Sequence, residues 1–334
     1  MTKTIALVTP VLDDWDAFTA LLSDIADTFA GSGIVFYVYA VDDGSSVAFD
    51  VAGIALSARS CIASVDIIRL AANLGHQRAI AVGLCAIVED DAVDAVLVMD
   101  SDGQDRPDDI AALLAESARH PRHVVLAGRA KRGEPPAFRF WYRLYRMVFR
   151  ALTGRAIDFG NFCLIPTAAA RRLVYMSDLW NNLAACVIRS RLPFTTVPTI
   201  RGTRSSGESK MTLATLIVHG LSAMSVYSDV IFARVLLGAG GIAALTAIGI
   251  VGVAIVRVAT DLAVPGWATA ALGDLLIIVL QTFVVAISAS LTMLARRGTR
   301  PIVPAVDCAA FVAERERCRR DRHKAVIGLA RPVA

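Results

Sequence analysis

The stretch Ala95–Gln104, AVLVMDSDGQ, places two aspartates one residue apart directly after an apolar run. A short apolar run that ends in a turn-forming segment is typical of a buried strand. The carboxylates of Asp100 and Asp102 supply the hard oxygen ligands that Mg²⁺ or Mn²⁺ prefers. An Asp-x-Asp pair alone is also typical of a solvated turn, so its position after a strand is what favours a metal site.

The first 130 residues, which include this stretch, alternate β-rich runs with helix-like runs, which indicates an α/β fold with a mostly parallel sheet covered by helices. Acidic pairs also occur at Asp13-Asp14 and Asp42-Asp43, after two further predicted strands. Ligands of open α/β sheets bind at the carboxyl ends of strands, so the three acidic ends predict one crevice for base, ribose and metal. Each cluster alone would also suit a turn. The predicted strands are Thr4–Thr9, Val35–Val41, Ser64–Arg69, Ala95–Met99 and Val124–Ala127, and the predicted helices lie near Ala17–Ala30, Gln77–Glu89 and Pro107–Ser117.

Two uncharged apolar runs, Val235–Val256 and Leu275–Ala295, raise the apolar fraction of the 334 residues to 55%. Each run is long enough to cross a hydrocarbon core of about 30 Å as a helix. Burial of both helices in a large core is the alternative, but the remaining chain is too small to enclose them. Arginines cluster directly after the second run, and residues 1–12 lack a secretory signal, so we expect a multi-pass protein of the inner membrane with both termini cytoplasmic.

Charge and cysteine usage exclude several other classes. Six scattered cysteines without a C-x-x-C pair favour reduced thiols over a zinc site or a disulfide framework. The net charge of +4 is modest, and the tail after Arg296 interleaves arginines with acidic residues. This pattern favours a helix near anionic headgroups over a nucleic-acid-binding arm, so no nucleic acid is expected as a partner.

Arginines recur at helical spacing within Phe138–Leu152, at positions 139, 143, 146 and 150. A basic stripe beside an aromatic face predicts an amphipathic helix in the membrane interface, or equally a surface helix packed on its own domain. The apolar segment Ser209–Phe232 is a second interfacial or juxtamembrane candidate. The predicted organisation is a globular domain over 1–208, an interfacial helix over 209–233, spans over 234–258 and 273–295 joined by an extracytoplasmic loop over 259–272, and a basic cytoplasmic tail over 296–334.

The acidic strand ends and the Asp-x-Asp segment, in the order in which they occur, resemble the motifs of inverting glycosyltransferases of family two with the GT-A fold. The resemblance is greatest to the polyprenyl- and dolichyl-phosphate sugar transferases. The resemblance covers roughly residues 4–232 and the paired spans. Residues 10–14, PVLDD, are similar to the Pro-Val-Tyr-Asn-Glu turn of that family. Residues 41–45, VDDGS, resemble its nucleoside-binding turn, and residues 73–79, NLGHQRA, resemble its N-x-G-…-A segment.

Three later motifs extend the resemblance. Gly128-Arg129 matches a Gly-(Ser)-Arg pair whose arginine is expected near the acceptor phosphate. Residues 157–164, IDFGNFCL, resemble L-D-x-G-D-F-R-L, with Asn161 and Cys163 as departures, so any role there rests on Asp158. Residues 201–210, RGTRSSGESK, resemble a basic lid with the pattern R-x-x-R-x-x-G-x-S-K.

The resemblance implies a role for each matched residue. Asp100, Asp102 and Gln104 would bind the metal and the diphosphate, and the catalytic set would be Asp100, Asp102, Asp158 and Arg129. The other donor-binding residues would be Pro10, Asp14, Asp42, Asp43, Asn73, Arg78, Arg204 and Lys210, and the acceptor-phosphate contacts would be Arg129, Arg139, Arg143 and Ser209. His76 and His219 are more typical of structural histidines.

The implied reaction transfers one sugar from a nucleotide-sugar donor to undecaprenyl or another polyprenyl phosphate at the inner leaflet. A UDP-sugar is favoured over GDP-mannose as the donor. An acceptor phosphate is already ionised, so no strong base is required, whereas a sugar hydroxyl would need one, with Asp158 as the candidate. The alternatives are a glycosyltransferase that elongates a membrane glycolipid or surface polysaccharide, and a non-catalytic membrane scaffold. The sequence leaves a homo-oligomer open.

Overall fold

The computed structural model describes residues 3–49, 60–90, 93–129, 136–155, 159–200, 202, 220–260, 266–319 and 322–326. The chain divides into two compact units. The first unit comprises Met1–Arg139, Ile157–Val226 and Ile302–Ala334, and the second comprises Phe140–Ala156 and Tyr227–Pro301.

The described strands and helices follow one another in α/β order through the first 200 residues. The strands are β1 Lys3–Val11, β2 Ile34–Asp42, β3 Ile62–Leu70, β4 Ala95–Val98, β5 Val124–Arg129, β6 Phe159–Pro166, β7 Phe194–Thr199, β8 Val312–Arg319 and β9 Arg322–Val326. The helices are α1 Trp15–Thr28, α2 His76–Glu89, α3 Pro107–Arg119, α4 Pro136–Thr153, α5 Thr167–Leu173, α6 Leu183–Arg189, α7 Ser228–Ala259, α8 Trp267–Arg297 and α9 Pro304–Asp307.

All the described strands form one sheet in the order β7-β5-β6-β4-β1-β2-β3-β8-β9. The five predicted strands and three predicted helices are confirmed. The sheet is mixed rather than mostly parallel, because β6, β8 and β9 run antiparallel to their neighbours. The central strands β4, β1, β2 and β3 are parallel, so the loops after them meet at one edge of the sheet.

Helices cover both faces of this sheet. On one face, Phe18 and Ile25 of α1 pack with Ile5 and Leu7 of β1. On the other face α2 approaches so closely that a Cβ at Gly83 would lie 2.6 Å from Cγ1 of Val8. This close packing places the first residue of α2, His76, at the edge where the strand-end loops meet.

The second unit contains two long apolar helices, α7 and α8. Each has a mean hydropathy of 2.3 in its most apolar 18-residue window, and only 6% and 0% of those windows is buried. The alternative in which both helices lie inside a large core is therefore wrong. Both are long and apolar enough to cross a membrane, and they pack together where Gly249 of α7 meets Leu275 of α8.

The start of α7 is attached to the end of α4 within the same unit. The rings of Phe149 and Tyr227 meet edge to face with centroids 6.0 Å apart. Arg234 donates to the backbone carbonyl of Ala151 in the last turn of α4. Residues 220–225 are helical, whereas residues 209–219 of the predicted interfacial segment lie outside the described residues.

The predicted tail helix near anionic headgroups is wrong, because Val312–Arg319 is a strand of the first unit. Its charges alternate with period two, which is the period of a strand and not of a helix. Arg315 and Arg317 therefore lie on one face, where both contact Asp66 of β3, and Glu314 and Glu316 lie on the other, where both contact Arg69.

Candidate functional site

The loops that follow β1 and β2 are joined by a reciprocal pair of hydrogen bonds. The backbone N–H of Asp13 donates to Oγ of Ser45 over 3.0 Å, and that of Ser46 donates to Oδ1 of Asp13 over 2.6 Å. Asp13 adopts a left-handed conformation with φ of 49°, which aspartate tolerates better than most residues. Asp14, the predicted donor contact, is the half-buried N-cap residue of α1.

The acidic pair that ends β2 is buried and divides into two roles. Oδ1 of Asp42 accepts from the backbone N–H of Ser45 within its own turn, over 2.8 Å. Asp43 reaches across to the β3–α2 loop and accepts from the N–H groups of Leu74, over 2.7 Å, and Gly75, over 2.9 Å. Burial raises the pKa of Asp43 above its usual value, although these two bonds and the charge of nearby His76 act in the opposite direction. Asp43 thus ties two loops together.

The Asp-x-Asp segment forms a compact turn at the end of β4. The N–H of Asp100 donates to Oδ2 of Asp105 over 3.0 Å, and the N–H of Gln104 donates to Oδ1 of Asp102 over 3.0 Å. Oγ of Ser101 donates to the carbonyl of Pro10 over 3.4 Å, which links the turn to β1. Asp100, Asp102 and Gln104 are all half-buried at the sheet edge.

These residues suit a hard divalent ion that keeps several ligands from outside the protein. Within the part of the chain that the structure describes, no group of three or more His, Cys, Asp or Glu residues is arranged to hold a metal. Mg²⁺ is usually held by one or two carboxylates with waters and substrate phosphates completing its shell. Asp100 and Asp102 match that donor set, so a metal here would be shared with a bound ligand.

Gly202 brings the loop after β7 against this turn, a contact that sequence reasoning missed. Its N–H donates to the carbonyl of Gln104 over 2.8 Å. A Cβ at Gly202 would lie 2.2 Å from the carbonyl oxygen of Gly103 and 3.2 Å from Cγ of Arg106. Only glycine fits here, and the signal was its place in the basic motif over residues 201–210.

His76 also joins the site, although the sequence favoured a structural role. Its Nε2 lies 3.3 Å from Oδ1 of Asp100 and 2.9 Å from Nδ2 of Asn161. The amide of Asn161 is oriented by Gln77, because Nε2 of Gln77 donates to its Oδ1 while the N–H of Leu183 donates to Oε1 of Gln77. Asn161 therefore presents an N–H donor to the imidazole.

Burial and the neighbouring carboxylates shift the pKa of the His76 imidazole in opposite directions. Burial lowers the pKa of His76, but the carboxylates of Asp100, Asp43 and Asp105 raise it, and the net shift is upward. His76 is thus held directly against a candidate metal ligand by a hydrogen-bond chain that begins at the backbone of α6.

The predicted donor-side residues that the structure describes lie in or next to the loops at the carboxyl edge of the sheet, and their roles, like those of the acceptor-side residues, stay predictions. Asn73 is exposed beside Gly44, and Arg78 is exposed, donates to the carbonyl of Leu74 and lies over the ring of Trp180. Arg143 is exposed in the second unit. Asp158, Arg204, Ser209, Lys210 and the side chains of Arg129 and Arg139 lie outside the described residues.

The family model "Glycosyl transferase family 2" matches residues 7–180, which is more than half of the chain. None of the curated protein sequences compared with the chain matches it.

Solved structures similar to the chain include two synthases and the protein TarS. Glucosyl-3-phosphoglycerate synthase from Mycobacterium tuberculosis, in complex with Mn²⁺ and UDP-glucose, has a TM-score of 0.47 and 13% identity over 68% of this chain and 79% of that one. Mannosyl-3-phosphoglycerate synthase from Rubrobacter xylanophilus has a TM-score of 0.47 and 13% identity over 68% and 73%. S. aureus TarS 1–349 in complex with UDP-GlcNAc has a TM-score of 0.40 and 14% identity over 68% and 70%.

Proposed function

Because the chain belongs to glycosyl transferase family 2 and its enzymes use nucleotide-sugar donors, we propose that it transfers one sugar to polyprenyl phosphate at the cytoplasmic membrane face. We favour a UDP-sugar over GDP-mannose as the donor and undecaprenyl phosphate as the acceptor. The observation that carries the proposal is the meeting of the acidic loops after β1, β2 and β4 in a chain that also has two apolar helices of membrane-spanning length.

On the donor side, we assign the nucleoside to the β2 end and the diphosphate to the β4 end. Within the described residues, only Oδ1 of Asp42 has a hydrogen-bond partner, Ser45, and we assign Oδ2 to a ribose or base contact. Asp100 and Asp102, with Gln104, would hold Mg²⁺ or Mn²⁺, which supplies charge neutralisation for the departing nucleoside diphosphate. Arg204 and Lys210 would add positive charge to the same leaving group.

On the acceptor side, we assign the lipid phosphate to Arg129, Arg139, Arg143 and Ser209. A phosphate monoester is ionised near neutral pH, so the protein must orient it for in-line attack at the anomeric carbon and need not deprotonate it. The bond from the anomeric carbon to the diphosphate breaks as the new bond to the acceptor phosphate forms, which inverts the configuration. An acceptor hydroxyl on a glycolipid or polysaccharide is the second candidate, and Asp158 would then be the base.

The tail supports a hairpin arrangement of α7 and α8. Strand β8, which follows both helices, pairs with β3, which precedes them, from Ser64↔Arg319 to Leu70↔Val312. The segments before and after the helices must therefore lie on the same side of any membrane that the helices cross. With the arginines after α8 taken as the cytoplasmic flank, we propose that the first unit and both termini lie in the cytoplasm at the inner membrane.

The test is a transfer assay with the full-length protein in detergent. Labelled UDP-sugars and GDP-mannose are incubated with undecaprenyl phosphate and Mn²⁺ or Mg²⁺, and lipid products are separated by thin-layer chromatography. We expect a mild-acid-labile glycolipid that forms with the metal and not with EDTA. Transfer to a glycolipid acceptor alone would favour the elongating enzyme, and absence of nucleotide release with every donor would favour the scaffold.

A further inference from the structure

The C-terminal segment is part of the catalytic unit and borders the β3–α2 loop of the donor site. The N–H of Ala71, the first residue after β3, donates to the carbonyl of Phe311 over 2.9 Å. Strand β8 starts at the next residue and pairs with β3 along its length. The chain thus returns from the apolar helices to the edge of the sheet beside the predicted nucleoside pocket.

Ion pairs hold strand β8 of this segment against β3. Asp66 of β3 is fully buried, and its carboxylate lies 2.7 Å from Nη2 of Arg315 and 2.6 Å from Nη2 of Arg317. Both guanidinium groups also contact Asp90, just after α2, at 2.8 and 2.5 Å. A buried carboxylate that loses its cationic partners is strongly destabilising, so the folded sheet requires the tail to be docked.

Aromatic packing carries the contact from the tail to a donor-site residue. The ring centroids of Phe311 and Trp180 lie 4.9 Å apart, and the guanidinium carbon of Arg78 lies 5.7 Å from the centroid of the Trp180 ring. Arg78 in turn donates to the carbonyl of Leu74, whose N–H donates to Asp43. The tail, the two aromatic rings, Arg78 and the loop therefore form one continuous set of contacts that ends at the acidic pair after β2.

We propose that Phe311 is a positioning residue of the donor site, which holds Arg78 and the β3–α2 loop through Trp180 for binding of the nucleoside diphosphate. This proposal rests on the proposed function, because it takes the loop as part of the donor site. Phe311 does not touch the donor. Phe311 acts by restricting the motion of the Trp180 ring, over which the guanidinium group of Arg78 lies.

The first test measures binding of UDP with Mn²⁺ to the full-length protein by isothermal titration. Phe311→Ala should weaken binding about five-fold, the effect of one lost aromatic pair. Val306→Ala is the matched control, since it also shortens an apolar side chain of the tail but one that is 62% exposed, and it should bind as the wild type does. Equal affinities of the Phe311→Ala and Val306→Ala proteins would overturn the proposal.

A double-mutant cycle separates positioning from a general structural role. If Phe311 acts through Arg78, the protein with both Phe311→Ala and Arg78→Ala should bind UDP as weakly as the Arg78→Ala protein alone. Additive losses would contradict the proposed route. If Phe311→Ala does not fold, Phe311→Leu keeps most of the apolar volume, removes the contact between the aromatic rings and is expected to weaken binding in the same direction.

Hydrogen exchange tests the positioning without any ligand, and so distinguishes its failure from failure of the proposed function. Amides in residues 71–78 should exchange faster in the Phe311→Ala protein than in the Val306→Ala protein. Identical exchange in the two proteins would overturn the positioning role. A wild-type protein that binds neither UDP nor GDP would instead contradict the donor assignment, while the exchange result would still decide whether the tail holds the loop.

Discussion

Substitution of Gly202 by alanine should misplace the turn that carries Asp102 and Gln104. A Cβ at Gly202 would lie 2.2 Å from the carbonyl oxygen of Gly103, whereas real Cβ atoms essentially never approach a heavy atom within 3.0 Å. The two atoms must therefore separate by at least 0.8 Å, the difference between those distances. The atom in the way is backbone, so no side-chain rotation can relieve the clash.

The size of the effect follows from this displacement. The hydrogen bond from Gly202 to Gln104 is 2.8 Å long, so a shift of that size also lengthens or breaks it. A misplacement of about 1 Å at a catalytic constellation can reduce the rate about 100-fold. Because the flanking loop takes up part of the shift, we expect Gly202→Ala to lower kcat/KM for the donor about 10- to 100-fold, or about 1.4 to 2.7 kcal/mol.

The assay is steady-state transfer with varied donor and varied Mn²⁺, alongside thermal unfolding. We expect the half-saturating Mn²⁺ concentration to rise, since Asp102 lies in the displaced turn. Gly252→Ala in α7 is the control: a Cβ there meets nothing within 4 Å, so its kinetics should match the wild type. A Gly202→Ala protein with kcat/KM and Mn²⁺ dependence within two-fold of the control would refute the reasoning.

Three further substitutions test other parts of the site and the sheet. Asp102→Asn keeps an acceptor for the N–H of Gln104 but removes the charge, so turnover should fall at least about 100-fold in the transfer assay with unchanged thermal unfolding. Asn161→Asp replaces an N–H donor to His76 with a carboxylate, and NMR titration of the metal-free protein should show a higher pKa for His76; an unchanged pKa would contradict the contact. Burial raises the pKa of Asp90, but the hydroxyl of Tyr39 and two tail arginines more than offset this and lower it below 3.8. The ionised carboxylate of Asp90 therefore stabilises the folded protein at pH values above the pKa that Asp90 has in the unfolded chain. This stability is lost as the pH falls through the lower pKa that Asp90 has in the folded protein. Asp90→Asn should lower the free energy of unfolding at pH 7 and flatten its decline as the pH falls below 3.8, as measured by urea denaturation.

The sequence predicted the central sheet and the acidic edge because both depend on local signals. An apolar run followed by aspartates marks a strand and its carboxyl end, and parallel pairing of β1, β2 and β4 then brings those ends together. The polar chain from Leu183 to His76 could not be predicted in this way. It joins residues 85 and 106 positions apart through single hydrogen bonds, which leave no periodic pattern in the sequence.

The structure of the tail was predicted wrongly for a different reason. Its sequence contains the pattern of a strand, but the prediction of a helix rested on composition alone. Interleaved arginines and glutamates are typical of a solvated helix when only their number is considered. Their strict alternation instead gives each face of β8 one sign of charge, and β3 offers Asp66 on one face and Arg69 on the other. Complementarity on both faces fixes the register, because a one-residue slip would place like charges together on both faces.

That register has a consequence for how the enzyme assembles. The ion pairs between β3 and β8 join residues up to 251 positions apart, with both apolar helices between them in the chain. Contacts of such separation form late, because a long loop must close before they contribute. Asp66 is therefore without its cations, and the β3–α2 loop without Phe311, until the second helix has been made and the chain has returned to the sheet. The contacts of the tail with β3 and with the β3–α2 loop are therefore completed only after both apolar helices have been made.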